Sequence, residues 1–229
     1  VKGQENDDLS ERWEITQEED SEVKTPELEH REVRVRIFTD GNSVETYAFD
    51  RFTFSAESEH HTSILVNKSV GNDTPPMDSY PLYLFYPIEN TSEAELPFCF
   101  HGRFQVETNR KDLSKNQLGK NRKVLEEGLD LIELVGEEVA SEAYEDENTK
   151  YSTHLPWSLL PPVPKNDVTE PTTQKELISW FQSQVLEHLG ETECIATSEG
   201  PHRPRETLLH WEHGVLGGYV AFKKVLAET

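Results

Sequence analysis

The spacing of apolar and polar residues changes partway along this chain, and the change divides it in two. Between Glu32 and Val106 the apolar positions alternate or come in short runs. Val33, Val35 and Ile37 alternate with Arg34, Arg36 and Phe38, the period of a half-buried strand. Thr39-Asp40-Gly41-Asn42 is a turn signal, residues 41–46 read as a short loop, and Tyr47–Phe54 reads as a second strand. Thr62–Asn67 predicts another strand. Leu82–Tyr86 is a continuous apolar run of the kind found in central strands, and Phe98–Val106 predicts a further strand around Gly102. After Asn109 the spacing becomes three and four. Leu118, Val124 or Leu125, Leu129, Ile132, Val135 and Val139 share one helical face, with Ser114 as N-cap and the end near Ala143. Gly119, Gly128 and Gly136 weaken that helix or let something pack closely against it.

Residues 1–30 show neither period and are expected to be an acidic linker, with Trp13–Ile15 as its only apolar anchor. Residues 149–229 open with a proline-rich connector containing Pro156, Pro161, Pro162, Pro164 and Pro171, with Trp157 and Leu159–Leu160 tucked onto a surface. A helix over Gln174–Leu189 follows, with Leu177, Phe181, Val185 or Leu186, and Leu189 on one face and Gly190 as its stop. Cys194–Thr197 predicts a short strand, and Arg203–Leu209 and Tyr219–Leu226 predict two last helices. Strands therefore precede helices. The expected class is α+β: a mostly antiparallel sheet followed by helices over residues 31–148, with a small helical or α/β extension over 149–229.

Composition narrows the function. Apolar residues make up 34% of the chain, below the usual share of about 45–50%, but they cluster enough to form a core. The 44 acidic and 22 basic residues leave a net charge of -22, which excludes a general nucleic-acid-binding surface. Two arrangements fit that excess: a solvated acidic coat of the sort used by salt-loving organisms, or local acidic tails such as residues 5–32 and 137–147. Cys99 and Cys194 lie among apolar residues, outside any CxxC pattern, and are expected to be buried reduced thiols. No secretory signal and no apolar run of membrane-spanning length is present, so a cytoplasmic protein without membrane contact is expected.

One segment breaks the acidic trend. Seven of the 22 basic residues (Arg103, Arg110, Lys111, Lys115, Lys120, Arg122 and Lys123) fall between positions 103 and 123, where strand pattern gives way to helix pattern. A helix start carries partial positive charge, and Arg110, Lys111 and Lys115 beside one suit an anion such as a terminal phosphate. The opposing reading is that these cations balance the acids around them. The phosphate loops GxxxxGK[ST] and GxGxxG are absent, as is GxSxG. His60-His61 reads as a solvated pair, and near His202 a metal site would require His210 and His213 to converge with an acid.

The run LYLFYPIE…ELPFCFHGRFQVETNRKDLSKN resembles the end of the ATPase region in sacsin-type proteins, and the corresponding loop of the heat-shock chaperones. These belong to the superfamily that includes gyrase and histidine kinases. Downstream, YSTHLPWSLLPPVP, the helix from Glu176, and ECIATSEGPHRPRETLLH look like the sacsin-type segment that follows, so the likeness spans residues 80–210. The resemblance implies a transducer-like middle domain of the kind also seen in a small-subunit ribosomal protein. In it a basic residue, Arg110 here with Lys111 as nearest substitute, touches the terminal phosphate of ATP with Mg. It also implies that the nucleotide sits in a preceding domain, because the superfamily's Asp-x-Gly-x-Gly loop occurs nowhere in this chain. Residues 1–229 alone are therefore expected to be inactive and to hold no nucleotide tightly. That preceding domain and client proteins are the implied partners. A chaperone-like or defence-related role fits the resemblance, and a non-enzymatic interaction or scaffold module is the alternative.

Overall fold

The computed structural model describes residues 11–17, 25–39, 42–55, 62–68, 81–84, 87–91, 96–145, 159–164, 168–197 and 200–204. The order of elements is β1 (Glu11–Gln17), β2 (Leu28–Thr39), β3 (Asn42–Phe54), β4 (Ser63–Asn67), β5 (Leu82–Tyr83), β6 (Phe98–His101), α1 (Leu118–Glu145), α2 (Gln174–Glu191), β7 (Ile195–Thr197) and β8 (Gly200–His202). Strands β1 to β6 form one sheet in the order β1-β2-β3-β4-β6-β5, antiparallel throughout except for β5 beside β6. The expected α+β class, strands first and helices after, is the observed one.

Alternation along the strands creates an inner face. His30 pairs with Phe52, Phe52 with Ile64, and Ile64 with Phe100 across four neighbouring strands. Phe52, Ile64, Val66, Phe98 and Phe100 are buried there with Leu125, Leu129, Ile132 and Val135 of α1 and Leu177, Phe181 and Val185 of α2. The core is thus continuous from the sheet through both helices and into β7 at Ile195. Each such side chain contributes about 1.5–3 kcal/mol by leaving water. Glu138 of α1, fully buried, accepts from both the backbone N–H and the hydroxyl of Thr25 at 2.9 Å, tying the helix to the entry of β2.

Two glycines set how closely α1 meets β6. A Cβ on Gly128 would lie 2.1 Å from the Phe100 ring, and one on Gly102 would lie 2.5 Å from Val124. The absent side chains let the Phe100 ring lie against the helix backbone, where it also contacts Phe104 and Phe181 at centroid distances of 5.5 and 5.8 Å. Gly119 meets nothing within 4 Å and does no such work.

Several expectations change. Glu11–Gln17 is an edge strand paired with β2, where an acidic linker was expected. Its register is supplied by β2, a partner that local composition does not reveal. Residues 42–46 belong to β3, where a short loop was expected. Leu82 begins a two-residue edge strand, not a central one; the chain leaves the sheet at Leu84 and a bridge pairs Tyr83 with Pro87. Ser114 stands at the N-cap of a short 3-10 turn, Lys115–Gln117, that leads into α1, and its side chain makes no capping bond. Helix α2 runs through Gly190 to Glu191, since Thr192 supplies the closing contacts to His188. Its start is well specified: Thr173 and Glu176 form a reciprocal capping box. Trp157 and the two helices predicted beyond Arg203 lie outside the described residues, as do His60, His61, His210 and His213.

Candidate anion-contact loop

Between β6 and α1 the chain makes a polar turn that is tied down at nearly every residue. Val106 and Leu113 form an antiparallel bridge, and the Glu107 N–H donates to Asp112 O at 2.9 Å. Inside that closure the Arg110 N–H donates to Glu107 O at 2.8 Å, a β-turn with Thr108 and Asn109 at its corners. Arg110 then takes φ 60, the only positive φ of a non-glycine among the described residues. That left-handed conformation costs a side-chain-bearing residue about 1–2 kcal/mol. Asn109 helps to hold it, accepting from the Lys111 N–H at 2.9 Å and donating to Asp112 Oδ2 at 2.9 Å.

The base of the turn is fixed by longer-range contacts. Asn121 of α1, fully buried, accepts from the Gln105 N–H at 2.7 Å and donates to Gln105 O at 2.9 Å. The Asn90 N–H donates to Lys111 O at 2.9 Å, and its Nδ2 to Asp112 Oδ1 at 2.8 Å. Hydrogen bonds from Asn109, and then from Asn90, hold the Asp112 carboxyl below the ordinary aspartate value, with Lys115 and Lys111 adding to the effect.

The predicted site residues separate within this frame. Arg110 is exposed at the tip. Lys111 is half exposed and ion-paired through Nζ to Glu89 Oε2 at 2.6 Å, a surface pair worth roughly 0–1 kcal/mol. Lys115 is exposed, while its backbone N–H donates to Glu107 Oε1 at 2.8 Å. The helix start that the sequence offered to an anion is therefore partly filled by the chain's own Glu107. Arg122 pairs with Glu126 at 3.0 Å and lies 4.5 Å from the Trp180 ring, which binds it to α2. Balancing by neighbouring acids thus accounts for Lys111 and Arg122.

Charge along α1 runs against its dipole. Its first turn holds no acid and its last turn no base. Residues 103–123 carry seven bases and two acids, whereas 124–145 carry eight acids and no base. Cations near a helix N-terminus and anions near its C-terminus are each unfavourable by about 0.3–1 kcal/mol. Helix stability therefore does not explain why the bases gather at this end.

A second polar cluster lies on the inner face of the sheet, away from this loop in sequence. His30 Nε2 and Asp50 Oδ1 are 2.8 Å apart and both residues are buried, with the His30 ring against Phe52. Lys68 Nζ lies 3.5 Å from Asp50 Oδ1 and 2.5 Å from Glu32 Oε2. Burial opposes the Lys68 charge, but Glu32 and Asp50 more than offset it, so its pKa is raised; Glu32 is lowered, first by its bond from Lys68. Sequence reasoning missed this cluster because its members sit on β2, on β3 and just after β4. The alternation that places His30, Glu32 and Asp50 on the inner face is the signal that could have found it.

Of the cysteines, Cys194 is buried, which pushes its thiol up to about 11, and Cys99 is only half buried. His202 turns back onto Gly200 O at 3.0 Å. Among the described residues no group of His, Cys, Asp and Glu has the arrangement of a metal site, and no helix is long and apolar enough to cross a membrane. No family model, curated protein or solved structure matches this chain.

Proposed function

We propose that this chain is the transducer-like middle segment of a sacsin-like ATPase, and that Arg110 contacts the terminal phosphate of a nucleotide held by a preceding domain. The observation that carries the reading is the state of Arg110: exposed, cationic, and held at φ 60 on the tip of a turn that its neighbours immobilise. Backbone strain at a side-chain-bearing residue persists where the surroundings over-determine it, and such places cluster at ligand contacts. The order of LPF, NRK and the following helix in the sequence supports the same reading. The guanidinium neutralises charge as it develops on the transferring phosphoryl group, with ATP and Mg supplied by the other domain. Lys115, exposed on the same segment, adds to the local field, while Lys111 serves first to anchor the turn through Glu89.

The alternative, a non-enzymatic interaction module, is favoured by the internal pairing of Lys111 and Arg122 for those two cations. Arg110→Ala decides between them in the longer protein that carries the nucleotide-binding domain. The expected result is loss of ATP hydrolysis by about a hundredfold or more. An unchanged rate with unchanged nucleotide-dependent closure removes Arg110 from the mechanism.

A further inference from the structure

The first side chain of helix α2 hydrogen-bonds into the Arg110 turn. Gln174, the first residue of α2, accepts from the Leu113 N–H through Oε1 at 2.7 Å and donates through Nε2 to Asn90 O at 2.8 Å. Asn90 in turn holds Lys111 O and Asp112 Oδ1. Three segments far apart in sequence, the turn after Ile88, the Arg110 turn and the start of α2, therefore close on one amide. A primary amide carries its donor and its acceptor on separate atoms of one plane, so it can serve both segments at once, and the capping box at Thr173 and Glu176 leaves Gln174 free of capping duty.

We propose that Gln174 is a positioning residue for Arg110: it registers the turn against α2, so that a displacement of Arg110 on phosphate contact is passed to α2 and to the β7–β8 hairpin beyond it. This inference rests on the phosphate-contact reading of Arg110. A side chain that positions another group in the transition state lowers kcat when removed and leaves KM alone.

The test compares Gln174→Ala, Arg110→Ala and Thr173→Ala in the longer protein with its nucleotide-binding domain, by ATP hydrolysis and by amide exchange over residues 106–115. Gln174→Ala is expected to speed exchange at the Leu113 amide about tenfold, the loss of one hydrogen bond, and to lower kcat about tenfold with KM unchanged. Thr173→Ala removes the capping box; it is expected to lower the melting temperature and leave kcat intact. If Arg110→Ala abolishes hydrolysis but Gln174→Ala leaves kcat as it was, the positioning role falls and the phosphate reading stands. If neither variant changes hydrolysis, the phosphate reading falls and this inference with it. If Thr173→Ala lowers kcat as much as Gln174→Ala does, Gln174 acts only by stabilising α2 and the proposal is overturned.

Discussion

The molecule holds two polar networks built on opposite plans. The cluster of His30, Asp50, Lys68 and Glu32 is inward: its charges face one another across β2, β3 and the residue after β4, and His30 and Asp50 are shut off from water. The Arg110 turn is outward: neutral amides and the carboxylates of Asp112, Glu107 and Glu89 hold it, and the arginine stands exposed at the tip. In the first, ionic groups face each other across paired strands, through Asp50 Oδ1, while the buried Asp50 Oδ2 makes no hydrogen bond among the described residues. In the second, the polar groups spend their hydrogen bonds on the chain that carries the cation. The first network ties strand to strand, whereas the second holds an exposed cation at its tip.

Perturbing the networks one at a time sharpens that contrast. Asp50→Ala strips the acid from a buried pair and leaves His30 and Lys68 facing an empty site. Unfolding in urea should show a loss of about 3–5 kcal/mol. A loss near zero would mean that the cluster is not a structural ion network. Asn121→Ala leaves both backbone groups of Gln105 without their side-chain partner, and should cost about 1–3 kcal/mol in the same assay. It should also speed amide exchange in residues 105–114 beyond any change in β2 and β3. Uniform exchange across the sheet would break the separation drawn between the two networks. The smallest effect concerns acid. Because the Asp112 pKa is depressed in the fold, its contribution is present above the ordinary value of 3.8 and is lost as pH falls through the lower, folded value. Asp112→Asn should therefore melt slightly below the wild type at neutral pH, and the two melting curves should converge in acid. A constant gap at all pH values would deny Asp112 its role as an ionised anchor.

The sequence made the class of fold readable because alternation and three-four spacing are local signals. The inner faces of β2 and β3 and the apolar stripe of α1 from Leu118 to Val139 follow directly from it. What depends on a distant partner stayed hidden. The Glu11–Gln17 strand exists by pairing with β2, and the apolar run at Leu82 yields only a two-residue strand at the end of the sheet, beside β6. The loop was legible as a charge anomaly, and Arg110, Lys111 and Lys115 could be named from it. Their division of labour could not, since it turns on Glu89, Glu107 and Gln174, which lie up to 64 positions from Arg110 (174 − 110). No residue pattern announces the left-handed φ at Arg110 either, because glycine or asparagine is the usual occupant of that conformation.

Arg110→Gly tests the central claim most directly, because it removes the cation and the strain together. Melting and ATP hydrolysis should be measured side by side, the second together with the preceding nucleotide-binding domain that the proposed function calls for. The account predicts that stability rises, by up to about 1 kcal/mol once glycine's greater freedom in the unfolded chain is set against the relieved strain, while hydrolysis is lost. A variant that is more stable and hydrolyses ATP at the wild-type rate would contradict it.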